Sequence, residues 1–189
     1  MPFDHFDLIA SFYDQFGTFR PSALLMNGLS LSPSCTLLDA GAGTGRVAAA
    51  LRSLVRQVFV VDLSRGMLRR AAAKGLAAVC APVETLPFPS GILDRIIMVD
   101  ALHHVFDQRL TTRELFRVLS SGGRIVIVEP DIHKCSVKAI AIGEKVLLMR
   151  SHFLTGENIA ALFTDPFAKT SVLYEGFNVI CIVEKVRGI

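Results

Sequence analysis

Residues 37–51 read LLDAGAGTGRVAAAL, and this stretch decides how the rest of the chain is interpreted. An apolar run ends in Asp39, and glycine then occupies positions 41, 43 and 45. A segment with helical spacing follows, in which apolar residues recur at every fourth position from Val47 to Val55. Glycine accepts backbone angles that other residues avoid and has no Cβ to bar a ligand, but it costs stability where it is not needed. Three glycines at one junction therefore predict a tight strand-to-helix turn that lies against a ligand.

The composition limits the class of protein. The 189 residues suit a single domain, and 51% of them are hydrophobic, with a mean hydropathy of +0.48. No run approaches the roughly 18 uninterrupted apolar residues that a membrane-spanning helix needs. The start, MPFDHFDLIA, carries acids and does not have the pattern of a secretory signal. We therefore expect a cytoplasmic protein without a membrane span.

The charge and the cysteines argue against two kinds of site. The net charge is only +3, and the densest basic group, between Arg65 and Lys74, has helical spacing without interleaved aromatic residues for base stacking. We interpret it as a solvated helix face and expect no nucleic-acid partner. The four cysteines are scattered without a CxxC pair, which argues against a zinc site and a disulfide framework. We expect reduced, buried cysteines and no metal site.

Short β-type runs alternate with helical segments along most of the chain. The five predicted strands of this part are Thr36–Asp39, Val58–Asp62, Ala77–Ala81, Arg95–Asp100 and Arg124–Glu129. Between them, Ser64 is expected to cap a helix, and a later helix is expected to end at Gly122 and Gly123. Alternation of this kind predicts an α/β fold with a parallel sheet and helices on both faces.

The two ends of the chain differ from this alternating part. Residues 1–34 form a Phe-rich amphipathic leader or cap, 35–130 the ligand-binding core, and 131–189 further helices and a hairpin, all within one domain of residues 1–189.

The C-terminal part is expected to hold two helices and two strands. A helical stretch reaches about Met149, and Thr155–Phe163 is a second helix with Thr155 as its cap. The β-type runs Thr170–Tyr174 and Asn178–Val186 are separated by only three residues. Because so short a loop joins antiparallel neighbours, the sheet is expected to finish in a hairpin.

Two acids stand at predicted strand ends, where open α/β sheets bind their ligands. Asp39 would hold a cationic or hydrogen-bond-donating group. Asp62 follows the turn by about twenty residues, where a carboxylate can take both hydroxyls of a ribose. The spacing GxGxG, with Arg46 where a dinucleotide fingerprint carries its third glycine, argues against NAD. The pattern therefore favours another nucleoside ligand, the alternative being a tight turn and a strand-terminal acid with no ligand.

Four motifs follow one another along the chain, and they read LLDAGAGTGRVAAAL, VVDLSRGMLRRA, ETLPFPSGILDRIIMVDALHHV and ELFRVLSSGGRIVIVEP. Together, over Leu37 to Pro130, they resemble the class I methyltransferases that use S-adenosylmethionine, in particular the methyltransferase type 11 group. The leader segment FDLIASFYDQF is also similar to the segment that caps the cofactor site in that group. The resemblance implies a Rossmann-like, mostly parallel sheet of seven strands in the order 3-2-1-4-5-7-6 with strand 7 antiparallel.

The resemblance also implies which residues contact S-adenosylmethionine. The glycines would pack on its methionine and ribose parts, Asp62 would take the ribose hydroxyls, and Leu63 would lie against the adenine. Pro82 stands where the group usually has an acid that serves the adenine amino group. By the resemblance, the backbone N–H of Val83 would still donate to adenine N1, and Glu84 is the expected substitute for the missing acid. The complete set of expected cofactor contacts is Asp39, Gly41, Ala42, Gly43, Gly45, Asp62, Leu63, Met67, Val83, Glu84 and Asp100.

The candidate catalytic residues follow the fourth strand. By the resemblance, Asp100 lies where the chain passes the departing methyl group, and His103 and His104 come directly after it. A histidine there is a candidate general base if the acceptor is a hydroxyl. The alternative is that one of the two packs and the other caps the next helix. Tyr13 and Phe16 of the leader, together with His104, are the candidates for contact with the acceptor.

Three functions of different kinds are compatible with these residues to different degrees. The first is methyl transfer from S-adenosylmethionine, by in-line displacement, to a small aromatic or lipophilic molecule bound under an apolar lid. The second is a catalytically silent cofactor-binding or accessory subunit of a methyltransferase complex, which Pro82 favours and the intact glycine turn disfavours. The third, an RNA or protein methyltransferase, is disfavoured because residues 100–103 read DALH rather than Asn/Asp-Pro-Pro-aromatic.

Overall fold

The computed structural model describes residues 19–134, 137 and 151–188. The strands found there are β1 Thr36–Ala40, β2 Gln57–Asp62, β3 Ala77–Cys80, β4 Leu93–Val99, β5 Leu119–Pro130, β6 Ala168–Glu175 and β7 Asn178–Lys185. The α-helices are α1 Ala23–Leu29, α2 Arg46–Leu51, α3 Arg65–Ala73, α4 Gln108–Val118 and α5 Gly156–Ala160, with 3-10 turns at Arg52–Leu54 and Leu102–His104. The helix expected up to Met149 lies mostly outside the described residues.

The strands form one sheet in the order β3-β2-β1-β4-β5-β7-β6. Strand β1 pairs in parallel with β2 and with β4, and β3 and β5 extend the parallel part on either side. Strand β7 runs antiparallel to both β5 and β6. The predicted strand order and the predicted final hairpin are both confirmed. The carboxyl ends of β1, β2, β4 and β5 consequently meet at one edge of the sheet.

Alternate residues of the central strands feed two separate cores. Leu38 of β1 and Ile96 of β4 pack in the cluster that includes side chains of α4 and α5. Their neighbours Leu37 and Ile97 pack in the cluster that includes side chains of α1, α2 and α3. Because successive strand residues point to opposite faces, the two clusters place helices on both sides of the sheet, as the sequence predicted.

Two predicted helix caps are confirmed and three predicted helix ends are wrong, among them that of α5, which ends at Ala160 rather than at Phe163. Ser64 and Thr155 cap α3 and α5 by accepting from backbone N–H groups three residues on, each at 3.2 Å. Helix α2, however, gives way to a 3-10 turn after Leu51 and does not reach Val55. The predicted end of α4 at Gly122 and Gly123 also differs from the structure.

Helix α4 does not continue to the glycine pair at positions 122 and 123. It ends at Val118, and Leu119 already pairs with Leu93 of β4. The next pair in the ladder joins Arg95 to Arg124, so the intervening residues make an irregularity inside β5. Gly122 allows it with a φ of 80°.

The three cysteines that the structure describes are free, but they are not all buried. Cys35 and Cys181 are buried, whereas Cys80 is exposed on the edge strand β3. The expectation of buried cysteines is therefore wrong for Cys80, and Cys135 lies outside the described residues. In the part of the chain that the structure describes, no helix has the length and apolarity needed to cross a bilayer.

Candidate functional site

The turn after β1 closes against the end of β2. The N–H groups of Gly41 and Ala42 both donate to the carbonyl oxygen of Val61, at 2.8 and 3.0 Å. The N–H of Gly45 then donates to the carbonyl of Ala42 at 2.9 Å, which completes the turn before α2 begins. The glycines at 41, 43 and 45 have φ values of 69°, 54° and 74°, a region that disfavours every other residue type.

Two of the three glycines are required by packing alone. A Cβ added at Gly41 would come within 2.6 Å of the Cβ of Ala101, in the loop after β4. A Cβ at Gly45 would come within 2.5 Å of Leu76, before β3. The loop after β4 therefore lies against the turn at Gly41, and Leu76 with Ala71 of α3 lies against it at Gly45. This packing by itself says nothing about a ligand.

Gly43 is different because nothing in the described structure crowds it. The nearest atom to an added Cβ is the sulfur of Met67, at 4.0 Å. Its φ is positive, and its N–H donates to Asp62 at 2.7 Å. A glycine that its own protein does not crowd is what a close backbone approach to a ligand requires.

Asp62 joins the glycine turn to the start of α3. One carboxylate oxygen accepts from the N–H of Gly43 at 2.7 Å, and the other accepts from the N–H of Ser64 at 2.8 Å. These bonds hold the carboxylate half-buried at the end of β2, beside Gly43. Since each carboxylate oxygen can accept two hydrogen bonds, this arrangement is compatible with ribose hydroxyls as further donors.

Asp39 lies deeper, beneath the turn. Its side chain is buried, and one oxygen accepts from the N–H of Ala48 at 3.0 Å. Ala48 is the third residue of α2, whose N-cap Gly45 has no side chain, so Asp39 supplies the missing cap. Burial raises the pKa of Asp39 to about 7, although the bond from Ala48 acts in the opposite direction. Its carboxyl is therefore sensitive to any positive charge bound above it.

The three residues predicted to lie near adenine differ in exposure and in hydrogen bonding. Leu63 is 65% exposed, whereas Val83 is buried. Glu84 accepts from the N–H groups of Phe106 and Asp107, at 2.8 and 3.3 Å, and so holds the loop before α4. The contact of Glu84 with adenine stays a prediction.

Asp100 follows β4 with a strained backbone. Its φ is 51°. Among the described residues other than glycine, only Asp100 and Ser30 have a positive φ. Its N–H donates to the carbonyl of Val128 at 2.9 Å. The residue is exposed, yet the surrounding protein, and then the charge of Glu129, raise the pKa of its carboxyl. A positive φ at a residue other than glycine is frequent at functional sites.

His103 is held inside the protein. It is 4% exposed, and its Nδ1 is paired with a carboxylate oxygen of Glu129. Its ring stacks on Phe153 with the ring centres 4.3 Å apart and the planes 16° from parallel. This residue therefore fits the packing alternative at least as well as it fits direct proton transfer.

His104 is the more accessible of the two histidines. It is half-buried, and its Nδ1 lies 3.4 Å from the hydroxyl of Ser151. It does not cap the next helix, because the N-cap of α4 is Asp107, which accepts from the N–H of Leu110 at 2.9 Å. Its catalytic role stays a prediction.

Glu129 is the residue that the sequence-based search missed. It closes the apolar run IVIVEP at the end of β5, as Asp39 and Asp62 close β1 and β2, and that shared position was the available signal. Tyr13 and Phe16, the predicted acceptor contacts, lie outside the described residues. Among the residues that the structure describes, no group of three or more His, Cys, Asp or Glu side chains could hold a metal ion.

Comparison with known proteins identifies the domain. Residues 38–127 match the family model for the methyltransferase domain of type 11. The demethylmenaquinone methyltransferase of Mycolicibacterium vanbaalenii is 36% identical over 101 residues, which are 53% of this chain and 44% of that protein. The ubiquinone/menaquinone biosynthesis C-methyltransferase UbiE of Syntrophotalea carbinolica is 34% identical over 139 residues, 66% of this chain and 59% of that one. The chain thus spans about half the length of the curated relatives it matches.

Solved structures share the fold at low sequence identity. YcgJ from Bacillus subtilis superposes with a TM-score of 0.75 at 19% identity, over 87% of this chain and 97% of that chain. A chain of the Haloferax volcanii complex that contains the Trm112 methyltransferase activator superposes with a TM-score of 0.78 at 16% identity, over 99% and 100%. The family model agrees with the four motifs, and the shared fold agrees with the observed strand order. Residues 38–127 therefore match the methyltransferase domain of type 11, and the described chain has the class I fold of the methyltransferases that use S-adenosylmethionine.

Proposed function

We propose that this protein binds S-adenosylmethionine at the glycine turn and transfers its methyl group to a small aromatic or lipophilic molecule. The observation that supports this most directly is the uncrowded backbone of Gly43 with the carboxylate of Asp62 bonded to its N–H. The open backbone at Gly43, the carboxylate of Asp62 and the buried carboxyl of Asp39 fit three parts of that cofactor. These are its methionine part, its ribose hydroxyls and its ammonium group, respectively. The residues present are thus suited to the group that the family uses.

In this proposal the residues of the chain mainly bind and align. S-adenosylmethionine supplies a methyl group already activated on a sulfonium, so no nucleophilic side chain is required. Asp62 would hold the ribose hydroxyls, Asp39 would favour the ammonium group from below, and the strained loop at Asp100 would form the wall beside the reacting atoms. Alignment of the two reactants and exclusion of water are then the chief sources of rate. If the acceptor is a hydroxyl, His104 is the accessible residue to take its proton.

The acceptor class rests on the relatives. The two curated relatives described above act on quinones or their precursors by name, and a solved neighbour from Streptomyces coelicolor, with a TM-score of 0.70 and 16% identity, is a geranyl diphosphate C-methyltransferase. In all three names the acceptor has a large apolar part, a quinone ring or a geranyl chain. A reduced quinone such as 1,4-naphthoquinol is therefore the first acceptor to test, followed by phenols and small prenylated compounds.

The cofactor part of the proposal is tested by replacing Asp62. Asp62→Ala removes a charged acceptor, which costs about 1 to 3 kcal/mol of binding free energy, or roughly 5- to 150-fold in Kd for S-adenosylhomocysteine. Asp94→Ala is the matched control, because Asp94 also accepts two bonds, from the N–H and the hydroxyl of Thr36, but at the opposite end of the sheet. Both variants lose stability, and only the first should lose affinity in calorimetric titration. An Asp62 variant that binds as the wild type does would exclude this residue from the site.

A second candidate function is an accessory subunit that keeps the cofactor site and transfers nothing. Two observations favour it: Pro82 replaces the usual adenine-binding acid, and Glu84, its expected substitute, is bonded to the loop before α4. The fold is also shared with a chain from a complex that contains a methyltransferase activator. Cofactor binding without turnover of any acceptor by the isolated protein, and turnover once a partner is added, would favour this candidate.

A further inference from the structure

Glu129 is a carboxylate buried at the end of β5, beside the proposed reacting edge. It is 3% exposed. One of its oxygens accepts from the N–H groups of Ala101 and Leu102, at 3.0 and 2.8 Å, and its other oxygen is paired with Nδ1 of His103. A single side chain of β5 therefore holds three consecutive residues of the loop that follows β4.

Residues 152 and 153 also contact this loop. The N–H of His152 donates to the carbonyl of His103 at 2.8 Å. The side-chain amide of Gln108 donates to the carbonyls of Leu102 and His152, at 3.1 and 2.7 Å. With Phe153 stacked on the His103 ring, the loop is clamped between β5 and this segment.

The pairing has a chemical consequence for the ring of His103. Because Nδ1 faces a carboxylate, a neutral ring carries its proton on Nδ1 and presents Nε2 as the acceptor. The ring is also 3.9 Å, centre to centre, from that of His104, so the orientation of one constrains the other. Among the described residues, the acidic groups that act on this ring include Glu129 of β5 and Asp100 of its own loop.

We propose that Glu129 is a positioning residue: it anchors the loop from Asp100 to His104 at the cofactor edge and holds His103 with its ring proton on Nδ1. This proposal rests on the proposed methyl transfer, since that reaction gives the loop its purpose.

A carboxylate is a costly way to do what packing could do. Burying it is unfavourable unless it is fully paired, and an apolar residue of similar size is often as stabilising. The charge of Glu129 also reaches the reacting edge, where it helps to raise the pKa of the Asp100 carboxyl. Both observations favour a role for Glu129 that depends on its carboxylate oxygens as hydrogen-bond acceptors and on its charge, rather than on the volume of its side chain.

Glu129→Gln separates this role from simple packing. The glutamine oxygen can still accept from Ala101 and Leu102, but its amide nitrogen now donates toward Nδ1 of His103. The ring proton should consequently move to Nε2. Glu184→Gln is the matched control, because Glu184 is paired with Arg124 at the other end of the β5–β7 ladder.

The decisive measurement is the tautomer of His103 by nitrogen-15 NMR of histidine-labelled protein, with His103→Asn used to assign the signal. The wild type and Glu184→Gln should show the proton on Nδ1, and Glu129→Gln should show it on Nε2 with an otherwise retained spectrum. An unchanged tautomer in Glu129→Gln, or a wild-type ring protonated on Nε2 alone, would overturn the proposal.

Turnover and binding then distinguish this proposal from the proposed function. With 1,4-naphthoquinol, Glu129→Gln should lower kcat by about tenfold or more, while the Kd for S-adenosylhomocysteine stays within about threefold. An inverted tautomer with unchanged kcat would overturn the positioning role and leave the proposed function standing. A wild type that binds no cofactor would instead overturn the proposed function and this role with it, and the NMR result would still report whether Glu129 orients His103.

Discussion

Replacing the three glycines of the turn one at a time should separate stability from cofactor binding. Gly41 and Gly45 are enclosed by neighbouring side chains at 2.6 and 2.5 Å from an added Cβ, whereas at Gly43 the nearest atom is 4.0 Å away. All three have a positive φ, so each alanine variant also carries the backbone penalty of that region. The three variants therefore differ in packing and not in backbone conformation.

The magnitudes follow from these distances. Gly43→Ala should cost about 1 to 2 kcal/mol of unfolding free energy, the penalty of a left-handed backbone alone. Gly41→Ala and Gly45→Ala add overpacking, which brings each to roughly 2 to 5 kcal/mol. For binding, Gly43→Ala should be the most affected variant. If the cofactor lies against Gly43, a methyl group there would overlap it and cost about 1 to 3 kcal/mol, or roughly 5- to 150-fold in Kd.

Urea unfolding gives the stabilities, and calorimetric titration with S-adenosylhomocysteine gives the affinities. Gly43→Leu extends the series, since a longer side chain should abolish binding while the protein stays folded. If Gly43→Ala and Gly43→Leu both bind as the wild type does, the turn does not contact the cofactor and the site has been placed wrongly. A Gly43→Ala variant as unstable as Gly41→Ala would instead mean that its surroundings are more crowded than the described contacts show.

Two further predictions concern titrating groups. Asp39 has a folded pKa of about 7 against 3.8 for the ordinary group, so the folded state holds a proton that the unfolded chain releases, and stability should fall as the pH rises through that window. Asp39→Asn, which keeps an acceptor for Ala48, should remove that part of the slope in urea titrations at several pH values, and an unaltered slope would show that Asp39 is not its source. If His104 accepts a proton from the acceptor, His104→Gln should lower kcat by about 100-fold or more and flatten the acid limb of the pH–rate profile with 1,4-naphthoquinol. A profile that keeps its acid limb would make His104 structural.

The strand order and the glycine turn could be predicted because their signals are local or shared with a family. Apolar runs, glycine spacing and the short loop before Asn178 all lie within a few residues of the features they predict. The same is true of Ser64 and Thr155, whose capping bonds span only three residues. Where a feature depends only on residues within the same short stretch of chain, the sequence is sufficient to predict it.

The errors arise where the decisive contact comes from elsewhere in the chain. Gly122 was interpreted as a helix stop, but pairing of Leu119 with Leu93 ends the helix earlier. For Asp39 the structure adds a bond from the N–H of Ala48, nine residues away, that caps α2, while its role toward a ligand stays a prediction. Glu129 escaped notice because its partners follow a different strand, 26 to 28 residues earlier. None of these contacts can be derived from periodicity.

The measurement that tests the central claim most directly is a calorimetric titration of the wild-type protein with S-adenosylmethionine and with S-adenosylhomocysteine. The open backbone at Gly43 and the carboxylate of Asp62 predict that both bind with micromolar or tighter affinity, despite Pro82. Binding of neither would contradict the claim that the glycine turn of the isolated protein is a working cofactor site.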